Sequence, residues 1–441
     1  MRHFTFLVIL TGLCGLAWFV GFEAQPPKSV FMPGPEEMEK GPIPSDWFYK
    51  QRAWPQQEIH YESYRNAWST ARKMRAQAMR SKNNVSWKTV APVGVPGRIT
   101  DVEIAPGNIL YVGTASGGLF KSSDMGETWS SLSDHWPSLS IGDIGLSPSN
   151  PQVLYVGTGE ANGGGGSMTY GGSGVYKSTD GGVSWLPVGL QDTRYIGRVV
   201  IHPQDPDQVY VAAMGEIFGG NEERGLFRTV NGGKTWEKVL GVNQDTGCID
   251  VVIDPTRPNR IYAASWERRR LPYDHIYGGP GSRLWKSTDG GNIWEEMKEG
   301  LPDADAGGNG RIGLALAPSK PDRLFAVYAN KAGSMLGVFQ TDNAGNSWEQ
   351  IPNNQALIDG PSFLTFGWWF GNIRVHPQDA DYIAVPGFAL LTSRDTGQTW
   401  FDMWDPLSAE ELRDPANLVH PDLHALAFSP DNPDLMILGT D

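Results

Sequence analysis

The sequence predicts an all-β fold: a seven-bladed β-propeller whose last blade is incomplete, preceded by a short helical segment. Three observations predict it. A nine-residue stretch recurs six times, as "KSSDMGETW" ending at Trp129, "KSTDGGVSW" at Trp185, "RTVNGGKTW" at Trp236, "KSTDGGNIW" at Trp294, "QTDNAGNSW" at Trp348 and "TSRDTGQTW" at Trp400. Spacing of roughly fifty to sixty residues marks a repeat array. Within each period an apolar first strand runs into a turn that usually carries proline ("IGDIGLSPSNP") and a second strand follows ("VLYVGT"). A third then enters the nine-residue stretch and a fourth starts near its tryptophan. Four antiparallel strands per period form one propeller blade. Composition agrees, since Gly 54 and Trp 17 beside 19% charged residues suit short strands and tight turns.

The elements follow in order. Residues 1–24 pair Arg2 and His3 with an apolar run from Phe4 to Phe22, the pattern of a signal peptide or an uncleaved anchor, so the chain is expected to be exported. Of the two cysteines, Cys14 lies in this leader and Cys248 is left alone once it is removed, so stability is expected from packing and not from a disulfide. Residues 25–46, rich in proline and glycine, read as an extended linker. Residues 47–85 form a helical N-terminal segment, because Tyr61, Tyr64, Trp68, Ala71, Met74 and Ala78 recur at helical steps. Residues 86–441 are the propeller, with seven first strands but six boxes; "SWKTVA", residues 86–91, is expected to close the last blade as its outer strand. A net charge of −13 argues against a nucleic-acid partner, which an acidic surface repels.

In each box the Asp caps the turn, the Gly supplies a positive φ and the Trp wedges between sheets, so the box builds the fold. These stretches resemble Asp-boxes, also called bacterial neuraminidase repeats. "VGTASGGLFKSSDMGETW", "IGDIGLSPSNPQVLYVGTGEAN" and "NEERGLFRTVNGGKTW" look most like secreted bacterial sortilin-like propellers, often labelled glycosyl hydrolases, over about residues 46 to 441. The same boxes occur in sialidases and in the xyloglucan-specific endoglucanases. In the endoglucanases a catalytic Asp follows the second strand of the first blade, where this chain has Ala115, and the second catalytic Asp belongs to another propeller. The sialidase arginine triad is not matched by Arg98, Arg198, Arg311 and Arg374.

Boxes occupy one face of such a propeller, so a site is expected on the other, where the loops between second and third strands are long. Blade 2 offers Glu160 and Asn162, blade 3 offers Glu216, Glu223 and Arg224, and blade 4 offers Trp266, Glu267, Arg268, Arg269 and Tyr273. Carboxylates, arginines and aromatics suit a groove for peptide, protein or glycan. Two other candidates stand beside it. Asp101, Asp143, Arg198, Asp250, Gly313, Asn372 and Ala425 begin the innermost strands, where they either bind a cation or bond neighbouring backbone. His420, Asp422 and His424 have metal-like spacing, but "HPD" also reads as a turn, and no metal or cofactor is expected. The leading expectation is a non-catalytic binding module. The alternatives are a glycoside hydrolase using Glu160, Glu216 and Glu267, and a structural subunit whose N-terminal helix contacts a cell-envelope partner.

Overall fold

A computed structural model describes residues 54, 61–80, 97–163, 170–270, 275–352, 366–402 and 420–441. The leader, the linker and the strand expected at residues 86–91 lie outside them. Helix α1 (Tyr61–Arg80) covers the amphipathic stretch, yet Met74 on its apolar stripe is 64% exposed. No helix among the described residues is long and apolar enough to cross a membrane.

Each repeat folds into an antiparallel sheet, in chain order from inner to outer edge. Blade 1 holds β1 (Ile99–Ala105), β2 (Ile109–Thr114), β3 (Leu119–Ser122) and β4 (Ser130–Ser131). Blade 2 holds β5 (Ile141–Leu146), β6 (Leu154–Thr158), β7 (Val175–Ser178) and β8 (Leu186–Gly189). Blade 3 holds β9 (Ile196–His202), β10 (Asp205–Ala213), β11 (Gly225–Thr229) and β12 (Glu237–Leu240). Blade 4 holds β13 (Thr246–Ile253), β14 (Ile261–Glu267), β17 (Leu284–Ser287) and β18 (Glu295–Met297), with a side ribbon of β15 (Arg269–Arg270) and β16 (His275–Ile276). Blade 5 holds β19 (Asn309–Leu316), β20 (Leu324–Asn330), β21 (Met335–Thr341) and β22 (Glu349–Gln350). Blade 6, preceded by the single turn α2 (Gly367–Phe370), holds β23 (Arg374–Val375), β24 (Ile383–Pro386), β25 (Leu390–Ser393) and β26 (Phe401–Asp402).

The seventh repeat forms a two-stranded sheet, β27 (Leu423–Phe428) with β28 (Met436–Thr440). Among the described residues six four-stranded blades therefore stand where seven blades were expected. No third or fourth strand of that repeat stands among the described residues. The hairpin still fills the sector between blades 6 and 1: Leu423 and Leu426 share a core with Ala384 and Leu390, and Asp431 accepts the Gly107 N–H at 2.6 Å.

The cores are the seams between successive sheets, as period-2 strands buried on both faces require. Tyr111, Ile144 and Val156 fill the seam of blades 1 and 2; Tyr155, Val199 and Val211 fill the next. Hydrogen bonds reinforce the seams. The hydroxyls of Tyr111, Tyr210 and Tyr262 donate to Gly181, Gly290 and Ala344 carbonyls in the box turn of the following blade at 2.9, 2.7 and 3.1 Å. Around the axis, Asp101, Asp143 and Asp250 accept the N–H groups of Ile144, Val199 and Leu314 on the following innermost strands at 2.8, 2.7 and 2.9 Å. Innermost strands approach so closely that a Cβ at Gly142 would lie 2.0 Å from the Ile196 carbonyl oxygen.

The box turns repeat one geometry. In blade 2 the Ser178 hydroxyl donates to Asp180 at 2.8 Å and accepts the Gly182 N–H at 2.9 Å, while Asp180 accepts the Ser184 N–H at 2.9 Å. Gly182 has φ +88°, which a side chain would strain.

Candidate functional site

Antiparallel alternation puts the box turns on one face and the links between second and third strands on the other. On that second face the loops of blades 2, 3 and 4 fold over one another. Arg268 is 2% exposed: its guanidinium donates to the carbonyl of Ala161, and to that of Gly163 at 2.6 Å, and lies 4.7 Å from the Trp266 ring centroid. Arg224 is 1% exposed and donates to the carbonyls of Glu216 at 2.7 Å and Arg268 at 2.9 Å. Burial pulls both guanidinium groups down to about 10. They clasp backbone carbonyls and stay charged at neutral pH. Trp266 is fully buried, its indole N–H on the Tyr277 carbonyl at 2.7 Å.

The remaining residues named from sequence are dispersed. Arg269 pairs with Asp245 at 3.1 Å, and Glu267 accepts the Gly281 N–H at 2.9 Å. Glu216 faces Arg194 at 3.9 Å; Glu223 is half-buried, its N–H on Asn221 at 3.2 Å. Asn162 is half-buried, and Tyr273 lies outside the described residues. Only Glu160 belongs to a denser constellation.

That constellation sits where the two-stranded sheet meets blades 1 and 2. Arg98, just before β1, grips Glu160 through Nε and Nη2 at 2.7 and 2.8 Å. Its Nη1 lies 3.8 Å from the Asp441 carboxylate, and its guanidinium carbon 5.5 Å from the Trp369 ring centroid. His424, 3% exposed, places Nε2 3.1 Å from Asp441 Oδ1, and its ring packs 5.5 Å from Trp369 and 5.2 Å from Phe370. Asp422 adopts a left-handed φ of 71°, unusual for a non-glycine residue. The last ladder pair is Leu423 with Thr440, and Asp422 and Asp441 are the chain neighbours of that pair.

Their electrostatics diverge. Burial, then the charge of Asp441, pushes the Asp422 carboxyl up against the pull of His424, His420 and Arg98. Burial also opposes ionisation of Asp441, but His424 and Arg98 outweigh it and hold that carboxyl below its usual range.

The other candidates behave differently. Arg198 joins Asp250 at 2.9 Å and Asp143 at 3.0 Å, so the inner-ring acids bond neighbouring backbone and one arginine. His420 is exposed, its Nδ1 on the Pro421 carbonyl at 2.6 Å. Among the described residues no group of three His, Cys, Asp or Glu is arranged to hold a metal ion. A cavity of about 400 Å³ between blades 5 and 6 is lined by Gln340, Glu349, Ile351, Pro352, Thr396 and Gln398, with one carboxylate.

Sequence reasoning missed Arg98, Asp441 and Trp369 as site residues. The repeat itself held the signal for Asp441, which follows the Gly-Thr ending β28 as Ala115 follows the Gly-Thr ending β2. Ala115 is buried with its N–H on the Arg98 carbonyl at 3.0 Å.

No protein-family profile matches the chain. It is 25% identical over 366 residues to a xyloglucanase of Paenibacillus sp, covering 73% of this chain and 32% of that protein. A xyloglucanase of Hypocrea jecorina is 24% identical over 363 residues, covering 72% and 40%. The chain thus spans about a third to two fifths of the length of these relatives. The solved structure of an ancestral GH74 enzyme superposes with a TM-score of 0.57 at 20% identity, covering 81% of this chain and 45% of that one, a likeness of propeller fold. These relatives overturn the expectation of a non-catalytic binding module, because the proteins the chain resembles along most of its length are named as glycan-cleaving enzymes.

Proposed function

We propose that the chain is an exported glycoside hydrolase acting on a glucan of the xyloglucan type, with its site at the cluster of Arg98, Glu160, Asp422, His424 and Asp441 beside Trp369. One observation carries the reading: the Asp441 carboxylate stands 3.1 Å from His424 and 3.8 Å from Arg98, whose guanidinium also grips Glu160 and lies 5.5 Å from the Trp369 ring centroid. Glycoside hydrolysis uses a pair of carboxyls flanking the bond. Aromatic faces and fixed donors orient a bound ligand. Similarity to named xyloglucanases supports the substrate class. The finer reading of the turns as Asp-boxes fits here as a fold device, since in blade 2 the hydrogen bonds of Ser178 and Asp180 are spent within the turn.

The test is hydrolysis of a polysaccharide panel by the purified full chain, containing xyloglucan, cellulose, mixed-linkage glucan and xylan, with new reducing ends counted. Release from xyloglucan above the others is expected. Release from none of the four overturns the proposal.

A further inference from the structure

We propose that the cavity between blades 5 and 6 is a binding site for the guanidinium of an arginine side chain presented by a partner polypeptide. The site lies at a box turn and does not depend on the hydrolase reading.

The assignment comes from what fills the same place in other seams. The third strand of each of blades 1 to 4 carries a cation that crosses to the box turn of the next blade. Lys121 donates to the Gly181 carbonyl at 2.8 Å, and Lys286 to Asn346 Oδ1 at 2.9 Å. Lys177 comes so close to Gly232 that a Cβ there would lie 2.6 Å from its Nζ. Arg228 makes the fullest set of contacts. Its Nη1 donates to the Gly290 carbonyl at 2.7 Å and to Asn292 Oδ1 at 2.9 Å, while Nη2 donates to its cross-strand neighbour Glu237 at 2.9 Å. One carboxylate and two neutral acceptors surround one planar fork of donors.

Blade 5 keeps the acceptors and lacks the cation. Gln340 is the counterpart of Arg228, paired across the strands with Glu349 as Arg228 is with Glu237. Counting from the box residues Asp289 and Asp395, Thr396 and Gln398 stand where Gly290 and Asn292 stand. These residues, with Ile351 and Pro352, line the cavity of about 400 Å³. Gln340 is held by Asp342, to which its Nε2 donates at 3.0 Å. The tyrosine that donates to the same carbonyl elsewhere, as Tyr210 does to Gly290, is Phe325 here, the cross-strand partner of Gln340. Arg323, which does cross this seam, is held by Asp342 and Asp381. Among the described residues no side chain donates to the Thr396 carbonyl and Glu349 has no ion pair. A guanidinium entering the cavity meets the Glu349 carboxylate and the Thr396 carbonyl, with Gln398 beside them, and Ile351 and Pro352 offer an apolar wall to its aliphatic stem.

The test titrates Nα-acetyl-arginine amide into the full chain by calorimetry. The citrulline amide, which keeps the shape and loses the charge, and the lysine amide, which keeps the charge and loses the fork, are run beside it. Saturable binding of the arginine probe is expected, weaker by about tenfold or more with Glu349→Gln and with the citrulline probe. The lysine probe should bind less tightly than the arginine probe. Gln340→Arg supplies the missing group from within the chain, so it is expected to abolish binding of the arginine probe and to raise the melting temperature. No saturable binding by the wild type, equal binding of the citrulline probe, or an arginine affinity unchanged in either variant overturns the site. Equal affinity for the lysine probe overturns the guanidinium assignment.

Discussion

In the turn of blade 2, hydrogen bonds from the Ser184 hydroxyl and N–H, with the Ser178 hydroxyl, hold the Asp180 carboxyl at about 2. Its folded value is therefore below the unfolded one, near 4. The turn is fully braced above about pH 4 and loses this contribution as pH falls toward 2. Blade 3 supplies a natural control, because Asn231 sits at the same position, accepts the Thr235 N–H at 3.0 Å and donates to its hydroxyl at 2.8 Å without titrating. Asp180→Asn is thus expected to leave the urea midpoint at pH 7 unchanged and to flatten the fall in stability between about pH 4 and 2. An unchanged acid slope would count against the cap. Arg268 belongs to the same scale. Sequence placed it in a solvent-facing groove, whereas its buried guanidinium ties blade 4 to the carbonyls of Ala161 and Gly163 in blade 2. Arg268→Ala leaves those carbonyls unpaired and should lower stability by about 3 kcal/mol in urea titration. A melting curve indistinguishable from wild type would contradict the clasp.

At the scale of elements, the blades are joined by polar side chains more than by strand ladders, because each sheet's hydrogen bonds run within the sheet. Arg198 on β9 bridges Asp143 on β5 and Asp250 on β13, with burial holding Asp143 well above its ordinary value despite the arginine. A carboxyl raised in the folded state favours folding while protonated and disfavours it as pH rises. Arg198→Met should therefore cost about 3–5 kcal/mol, with the larger loss at higher pH, by chemical denaturation at pH 5 and 8. A loss independent of pH would mean that packing, and not the charge triad, holds these strands. This ring was legible from the sequence: counting back from each turn proline aligned Asp101, Asp143, Arg198 and Asp250. The loops were not legible to the same degree. Sequence shows that Arg224 and Arg268 share a face but not that each has carbonyls within reach, since Arg268 and Ala161 are 107 positions apart.

For the whole molecule, periodicity made the propeller and its box face readable, because each repeat states its own strands and turns. The blade count was not readable, since the seventh first strand builds only a two-stranded sheet among the described residues. The candidate site was half readable. Glu160 and Asp422 were singled out, but the constellation depends on Arg98 meeting Glu160 across 62 positions and on Asp441 closing beside His424, contacts that exist only once the hairpin packs between blades 6 and 1. The deciding measurement is the release of reducing ends from xyloglucan by the full chain and by Asp441→Asn, side by side at equal concentration. Steady release by wild type, with the variant slower by about 10²- to 10⁴-fold and melting at the same temperature, is expected if hydrolysis occurs at this cluster. Equal rates for the two proteins, or no release by wild type, would contradict it.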